Sequence, residues 1–377
     1  CLVGSEMCIR DRKIECVASL KRPRIIIDLR LKRVGETAMK EIRILIGGMG
    51  NAARPMVDLL TSERERMENV YGLHFRIVGA VDSRGGVIAP NGISSVTLSE
   101  AKNRGTLADI PGLGIQGLTA LEMIEQCSAD VYLDGLPPYL PTGEPGTSNI
   151  RRALERGMHV VTANKAPLAL HWKELFSLAA QQGLQIRYGT AASAGLPTLE
   201  MGKLLGRCGE LLEFGGIFNA SCMYVFDAMG QGQSFDMAVQ GAKAGGFLEP
   251  DPSMDLDGWD TAMKTVIQAN TYWDQAYTLA DVAIQGICGL TQADMIDAKS
   301  RGEVWCMVGR AVQNPDGSLK LTAGPERLPA DHPLARAHWS DKVLWMQTRT
   351  QGGQVHHCIG ASASSTPGNM YLDLVTI

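Results

Sequence analysis

The chain has 377 residues, 45% of them hydrophobic and 20% charged, with a net charge of −4. That length suits two domains with their own cores, and the composition is ordinary for a soluble globular enzyme. The slight acidity speaks against a nucleic-acid partner, and no apolar run nears the ~18 residues of a membrane helix. The nine cysteines are scattered and odd in number, with no Cys-x-x-Cys pair. They read as free thiols in a reducing, cytoplasmic setting rather than as a disulfide framework. His356-His357-Cys358 reads as a plain strand end, and no metal site is expected.

Residues 1–38 carry nine Lys or Arg against five acids. Residues 1–12 (CLVGSEMCIRDR) resemble translated adapter text, and the acids argue against an organellar presequence. The segment is therefore expected to be a non-native or disordered extension, with Met39 as the start. Ile42 to Ile46 is a β-branched run ending in Gly47-Gly48-Met49-Gly50-Asn51-Ala52-Ala53, which predicts a strand, a tight turn and a helix reaching about Asn69. Phe75 to Val81 predicts a second buried strand ending at Asp82, followed by a Gly-rich loop. Helices are expected over Ser99 to Arg104, Thr119 to Gln126 and Glu144 to Gly157, with strands at Ala129 to Leu133 and His159 to Thr162. This alternation predicts an α/β, doubly wound parallel sheet of the Rossmann type.

After about Pro197 the texture changes. Leu211 to Phe218, Val304 to Val312 and Val343 to Arg349 predict strands of a mixed or antiparallel sheet, and Trp259 to Asn270 a helix. An α+β catalytic and dimerisation domain over 197–357 is expected, with the nucleotide-binding part at 39–196 and its last segment returning at 358–377.

Gly48-x-Gly50-x-x-Ala53 fits the dinucleotide pattern. The first glycine permits the turn, the second lets pyrophosphate approach, and the small third residue lets helix and strand pack closely. Gly48, Gly50, Asn51 and Ala52 are therefore candidate cofactor contacts. Asp82, 32 residues after Gly50 where about 20 is usual, is the candidate ribose acceptor. Arg84 could instead take a 2′-phosphate, so NAD and NADP both stay open.

Five carboxylates and one lysine crowd into the sixteen residues from Glu249 to Lys264. Such a loop repels itself unless it meets a cation, so a substrate ammonium or a lysine is the natural partner. Asp260 and Lys264 stand i, i+4 and share one helix face. Alone, that spacing is most often a solvated surface pair. Asp251 and Asp257 read as turn or cap residues and Trp259 as core.

Thr142-Gly-Glu-Pro145, His159 to Leu168 (HVVTANKAPL) and above all Ala242 to Lys264 resemble the homoserine dehydrogenase family. Leu328 to Leu334 and Tyr371 to Val375 are weaker echoes, and together these segments span Met39 to Ile377 in the family's order. The resemblance implies a catalytic core without a regulatory domain. It implies NAD(P)-dependent interconversion of L-homoserine and L-aspartate 4-semialdehyde, a step toward threonine and methionine, by a homodimer acting on a small amino acid. It implies Lys264 as proton donor and acceptor, Asp260 as its orienting partner, and Lys165 beside the reacting carbon. Glu249 and Asp255 would hold the substrate ammonium, and Ser221 would line the pocket. Thr162, Lys165 and Gly360 would flank the cofactor.

The chain departs from the family at several points. Gly189 stands where a glutamate usually helps to hold a monovalent cation, leaving the carbonyls near Ala192 and Ala194. Asn219-Ala-Ser-Cys-Met-Tyr224 replaces Asn-Gly-Thr-Thr-Asn-Tyr. Gly246-Phe247-Leu248 replaces a Gly-Tyr pair and so lacks a phenolic hydroxyl, and a lost polar contact can shift specificity by orders of magnitude. A related oxidoreductase on another small amino or oxo acid is therefore the second reading. A non-catalytic nucleotide-binding paralogue is the third, disfavoured because binding alone needs no proton donor.

Overall fold

Ile44, Leu45 and Ile46 are fully shielded from water, as befits a strand covered on both faces. They belong to β1 (Lys40–Gly47), the middle of a seven-stranded sheet with β2 (Leu73–Asp82), β3 (Gly85–Ile88), β4 (Gly114–Gln116), β5 (Val131–Asp134), β6 (His159–Thr162) and β7 (Ile186–Arg187). The spatial order is β4-β3-β2-β1-β5-β6-β7. From β2 to β7 every neighbour is parallel, as expected for a Rossmann-type core. The computed structural model describes residues 39–193, 195, 196, 198–248, 251–360 and 365–377. The expected extension at 1–38, Ala194, Pro197 and the candidate Glu249 lie outside the described residues.

The Gly-rich loop expected after Asp82 is in part a strand. β3 pairs antiparallel with β2, Asp82 opposite Gly85, so Ser83-Arg84 is the two-residue tip of a hairpin. The helix expected to reach Asn69 runs Ala53–Ser62 and then breaks into a short turn and a π-turn ending at Gly72. The helix expected from Glu144 begins at Gly146.

A second, six-stranded sheet contains β8 (Leu211–Ile217), β9 (Val282–Ile284), β10 (Glu303–Gln313), β11 (Leu319–Pro329), β12 (Lys342–Thr348) and β13 (Gly353–Cys358), in the order β13-β12-β8-β10-β11-β9. All pairs are antiparallel except β11 with β9, so the expected mixed sheet is present. β11 was not expected, because Gly324 and Pro325 interrupt its apolar alternation; it nonetheless pairs with β10 along its whole length.

The Trp259–Trp273 helix joins the two layers. It packs on the Lys165–Gln182 and Leu199–Arg207 helices and on β10 and β11. Residues from Asp260 to Tyr272, apart from the half-buried Lys264, are buried around its circumference, the mark of an internal helix. Trp259 itself is 38% exposed: it starts the helix beyond the packed part, so it is not the core residue expected. The last helix, Ser365–Val375, returns to the first layer, where Met370 and Leu374 join the core of β1 and β2. Residues 39–377 form one unit.

Gly189 leaves room for that returning helix. A Cβ there would lie 2.8 Å from Asp373 Oδ1, and Asp373 Oδ2 accepts from Thr190 N at 3.0 Å. The space a glutamate would need is taken by the Asp373 carboxylate.

Candidate active site

The ends of β1, β5 and β6 are level: Gly47 pairs with Asp134, and Asp134 with Thr162. The turns that follow therefore open on one edge, the carboxyl edge where parallel sheets bind ligands. Gly48 has a φ of +93°, and a Cβ there would touch Gly135. Its N–H and that of Met49 both donate to Val81 O, at 3.1 and 3.0 Å. A Cβ at Gly50 would meet only Gly135 O, at an ordinary 3.9 Å, and Ala52 gives the Ala53–Ser62 helix no side-chain cap. Arg54 N–H donates to Gly50 O at 3.0 Å and Pro55 has no N–H, so the amides placed for an anion are those of the turn itself, up to Ala53. Asn51 is exposed beside them.

A cleft of about 930 Å³ runs from this turn past Asp82, Ser83, Arg84 and Lys102 to Gly135, Pro138 and Ser148. Asp82 Oδ1 accepts from Arg84 N and Thr106 Oγ1, both at 2.9 Å. Its Oδ2 accepts from Lys102 Nζ at 2.9 Å and Leu107 N at 3.0 Å. Burial raises the Asp82 carboxyl, and these four donors more than reverse that and hold it below the usual range. The candidate ribose acceptor is therefore committed to its own protein. Arg84 lies on the hairpin tip with its guanidinium toward Gly105.

Thr162 is fully buried and does not face the cleft. Its hydroxyl donates to Asp134 Oδ2 at 3.2 Å and accepts from Asn164 N at 3.0 Å. Burial pushes Asp134 up to about 7, against bonds from Leu136, Thr162 and Asn164. Asn164 Oδ1 accepts from Ala166 N at 3.3 Å and so caps the Lys165–Gln182 helix. That sets Lys165 at the helix start, on the edge shared with Gly48.

Lys165 meets the other layer there. Its Nζ is 3.3 Å from Asp260 Oδ1, and Lys264 Nζ donates to Asp260 Oδ2 at 2.6 Å and to Phe218 O at 2.8 Å. One carboxylate thus bridges two ammonium groups from different helices. Burial alone would raise Asp260, but the charges of Lys264 and Lys165 outweigh it and hold it far below the usual range. Asn219 Nδ2 donates to Asp260 Oδ2 at 3.1 Å and to Asp255 Oδ1 at 2.6 Å. Burial and the nearby Asp260 raise Asp255. Ser221 Oγ donates to Phe247 O at 2.6 Å, pinning the loop before the acidic turn. Phe247 packs on Tyr224 and Trp339 with ring centroids 5.1 and 4.7 Å apart. Gly360 takes a φ of +61°, and its N–H donates to Asp341 Oδ1 at 2.8 Å. Asp251 acts as the turn residue expected, accepting from Ser253 N at 3.0 Å.

The family model described as homoserine dehydrogenase matches residues 197–375. The chain is 31% identical over 341 residues to the NAD(+)-dependent homoserine dehydrogenase of Pseudomonas canavaninivorans, covering 90% of this chain and 97% of that one. The chain belongs to the homoserine dehydrogenase family. It is also 31% identical over 293 residues to the homoserine dehydrogenase of Methanocaldococcus jannaschii, covering 77% and 85% of the two chains. A putative homoserine dehydrogenase from Archaeoglobus fulgidus superposes with a TM-score of 0.76 at 28% identity, over 89% of this chain and 98% of that one.

Two residues of the charged cluster had no role assigned from the sequence. Asn219 ties Asp255 to Asp260 and caps the Ala220–Gly230 helix by accepting from Cys222 N at 2.9 Å; it stood in the sequence only as the first residue of the run that replaces Asn-Gly-Thr-Thr-Asn-Tyr, with no role attached. Lys342 lies in the same charged neighbourhood, and a lone lysine opening a strand gives no signal at all.

Proposed function

We infer that the protein interconverts L-homoserine and L-aspartate 4-semialdehyde with NAD(P). The observation that carries this reading is the Asp260 bridge between Lys165 and Lys264 at the carboxyl edge of the nucleotide-binding sheet. The open Gly48–Ala53 turn and the adjoining cleft fit a dinucleotide, with Gly48, Gly50, Asn51 and Ala52 at its pyrophosphate and Gly360 near its reactive end. When bound, the dinucleotide supplies or accepts the hydride.

The chain's own residues manage the oxygen and its proton. An ammonium has three donors, and Lys264 spends two, on Asp260 and Phe218 O. The third is left for the reacting oxygen: it stabilises the alkoxide that hydride addition creates and then protonates it. In the reverse direction the neutral amine takes the hydroxyl proton. Lys165 adds a second positive charge beside the reacting carbon, and Asp260 keeps both lysines in place. Glu249 and Asp255 receive the substrate ammonium, with Ser221 fixing the pocket wall. At the adenosine end, Asp82 is occupied by Lys102, so Arg84 and Lys102 form the edge that meets the 2′ position. Thr162 acts from behind, by orienting Asn164 and hence Lys165.

The reading includes a nucleotide-binding domain at 39–196 with 358–377, a catalytic and dimerisation domain at 197–357, a homodimer built on the second sheet, and a cytoplasmic location. Purified protein is expected to reduce NAD⁺ or NADP⁺ with homoserine, followed at the reduced-nicotinamide absorbance. Inactivity with homoserine alongside turnover of another hydroxy-amino acid would select the second reading, which Phe247, lacking the family's phenol, favours. Sedimentation or light scattering is expected to give the dimer mass, and a monomer would remove the dimer proposal.

A further inference from the structure

Asp134 ends β5 with its side chain fully shielded from water. The groups that meet it are Gly47 from β1, Thr162 from β6, and Leu136 and Asn164 from the turns that follow the strands, all uncharged. Among the described residues the Tyr132 phenol, two positions back on β5, is the titratable group that feels its charge. A buried carboxylate without a cation is costly, and this one serves two segments at once. Oδ1 accepts from Leu136 N at 3.2 Å, and Oδ2 accepts from the Thr162 hydroxyl at 3.2 Å.

The first arm holds the nucleotide side. Gly135 and Leu136 line the cleft. A Cβ at Gly135 would lie 2.7 Å from Gly48 O and 2.9 Å from the Ala53 Cβ, so this loop packs directly on the glycine turn. The second arm holds the lysine side. The Thr162 hydroxyl accepts from Asn164 N at 3.0 Å. Asn164 Oδ1 caps the next helix through Ala166 N at 3.3 Å, and Lys165 is that helix's first residue. A Cβ at Gly146 would run into the Asn164 amide, which seats the cap against the start of the Gly146–Glu155 helix, beside Glu144 and Pro145 of the cleft. We propose that Asp134 is a positioning residue that couples the wall of the dinucleotide cleft to Lys165, an inference that rests on the reading above.

The bond pattern needs the carboxylate form. Ionised, Asp134 accepts on both oxygens at once. A proton on Oδ2 would reverse the bond to Thr162 and leave that hydroxyl facing Asn164 O at 3.5 Å. A proton on Oδ1 would oppose the Leu136 N–H. Burial pushes the carboxyl up to about 7, against the bonds from Leu136, Thr162 and Asn164, so the change falls near neutrality. Both arms are held above that pH, and one of them is lost as pH falls through it.

The test follows reduction of aspartate 4-semialdehyde, where Lys264 works as its ammonium and acid does not disarm it. In the native enzyme kcat is expected to fall as pH drops through about 7. Asp134→Asn copies the shape of the protonated acid and fixes it at every pH. It is expected to lower kcat about 10-fold at alkaline pH, as for one weakened hydrogen bond to a charged group, and to erase the acid limb. It also weakens NAD(P)H binding, read from nucleotide fluorescence, by a similar factor. Thr162→Val cuts the lysine arm alone: kcat falls, the acid limb goes and NAD(P)H affinity stays. In kcat the double variant is no worse than Asp134→Asn, because both changes break one chain of contacts. Thr162→Ser keeps the hydroxyl and keeps the limb, which separates the bond from a packing defect. Should Asp134→Asn fail to fold, the two Thr162 variants decide. A native profile flat through neutrality, an acid limb that survives in Thr162→Val, or additive losses in the double variant would each overturn the proposal. Native enzyme that ignores aspartate 4-semialdehyde would instead overturn the reading beneath it.

Discussion

Lys264→Ala is expected to lower kcat by about 10²- to 10⁴-fold, the usual contribution of one positioned acid–base group. NAD(P)H affinity, read from nucleotide fluorescence, is expected to stay close to the native value, because no atom of the Gly48–Ala53 turn depends on this lysine. The direction follows from the contacts. Lys264 is held by Asp260 Oδ2 at 2.6 Å and Phe218 O at 2.8 Å, so its position is set before substrate arrives. Removing it leaves Asp260 with Lys165 and Asn219, which keeps the carboxylate paired and the fold intact. Lys264→Arg should rescue little of the alcohol oxidation, because a guanidinium cannot take up a proton. If the alanine variant lost cofactor affinity and kept its turnover, the proton role assigned to Lys264 would be wrong.

The second large effect is on stability. Gly206→Ala is expected to cost about 3 kcal/mol, the upper range for overpacking a well-filled contact, read from denaturant midpoints. A Cβ at Gly206 would sit 1.7 Å from Tyr272 O, and one at Gly202 would sit 2.1 Å from the Tyr272 ring. The obstacle at Gly206 is backbone, which cannot swing aside. The Leu199–Arg207 helix would have to part from the Trp259–Trp273 helix, which carries Asp260 and Lys264. Gly230→Ala is the control. It ends a helix, is exposed and meets nothing within 4 Å, so it should be neutral or stabilise by up to about 1 kcal/mol. Equal losses in both variants would show that the tight crossing does not limit stability.

What could be read from residues alone follows the range of the interactions involved. β1 and its glycine turn were legible because strand, turn and helix signals lie in one continuous segment. Asp260 and Lys264 were legible as a pair because four residues bring them to one helix face. Their bond to Lys165 was not, since it joins positions 95 residues apart in the sequence. Asp82 illustrates the same limit from the other side. Its place at the end of β2 was clear, but its partners Lys102, Thr106 and Leu107 come from a later helix and loop. β3 and β11 were hidden because glycine and proline weaken the alternation that marks a strand. There the pairing partner, not local propensity, decides the conformation. Lys342, a lone lysine at a strand start, joins the charged neighbourhood only once β12 is laid beside β8.

Between Asp260 and Tyr272 the Trp259–Trp273 helix is buried except for the half-buried Lys264, so its amides are expected to be among the last to exchange with water. The ammonium to which the proton transfer is assigned would then sit on the slowest-breathing part of the chain. Heating should not yield a folded but idle enzyme; catalysis and tertiary structure should vanish in a single step, and the outer strands β9 and β13 should fray first without silencing the chemistry.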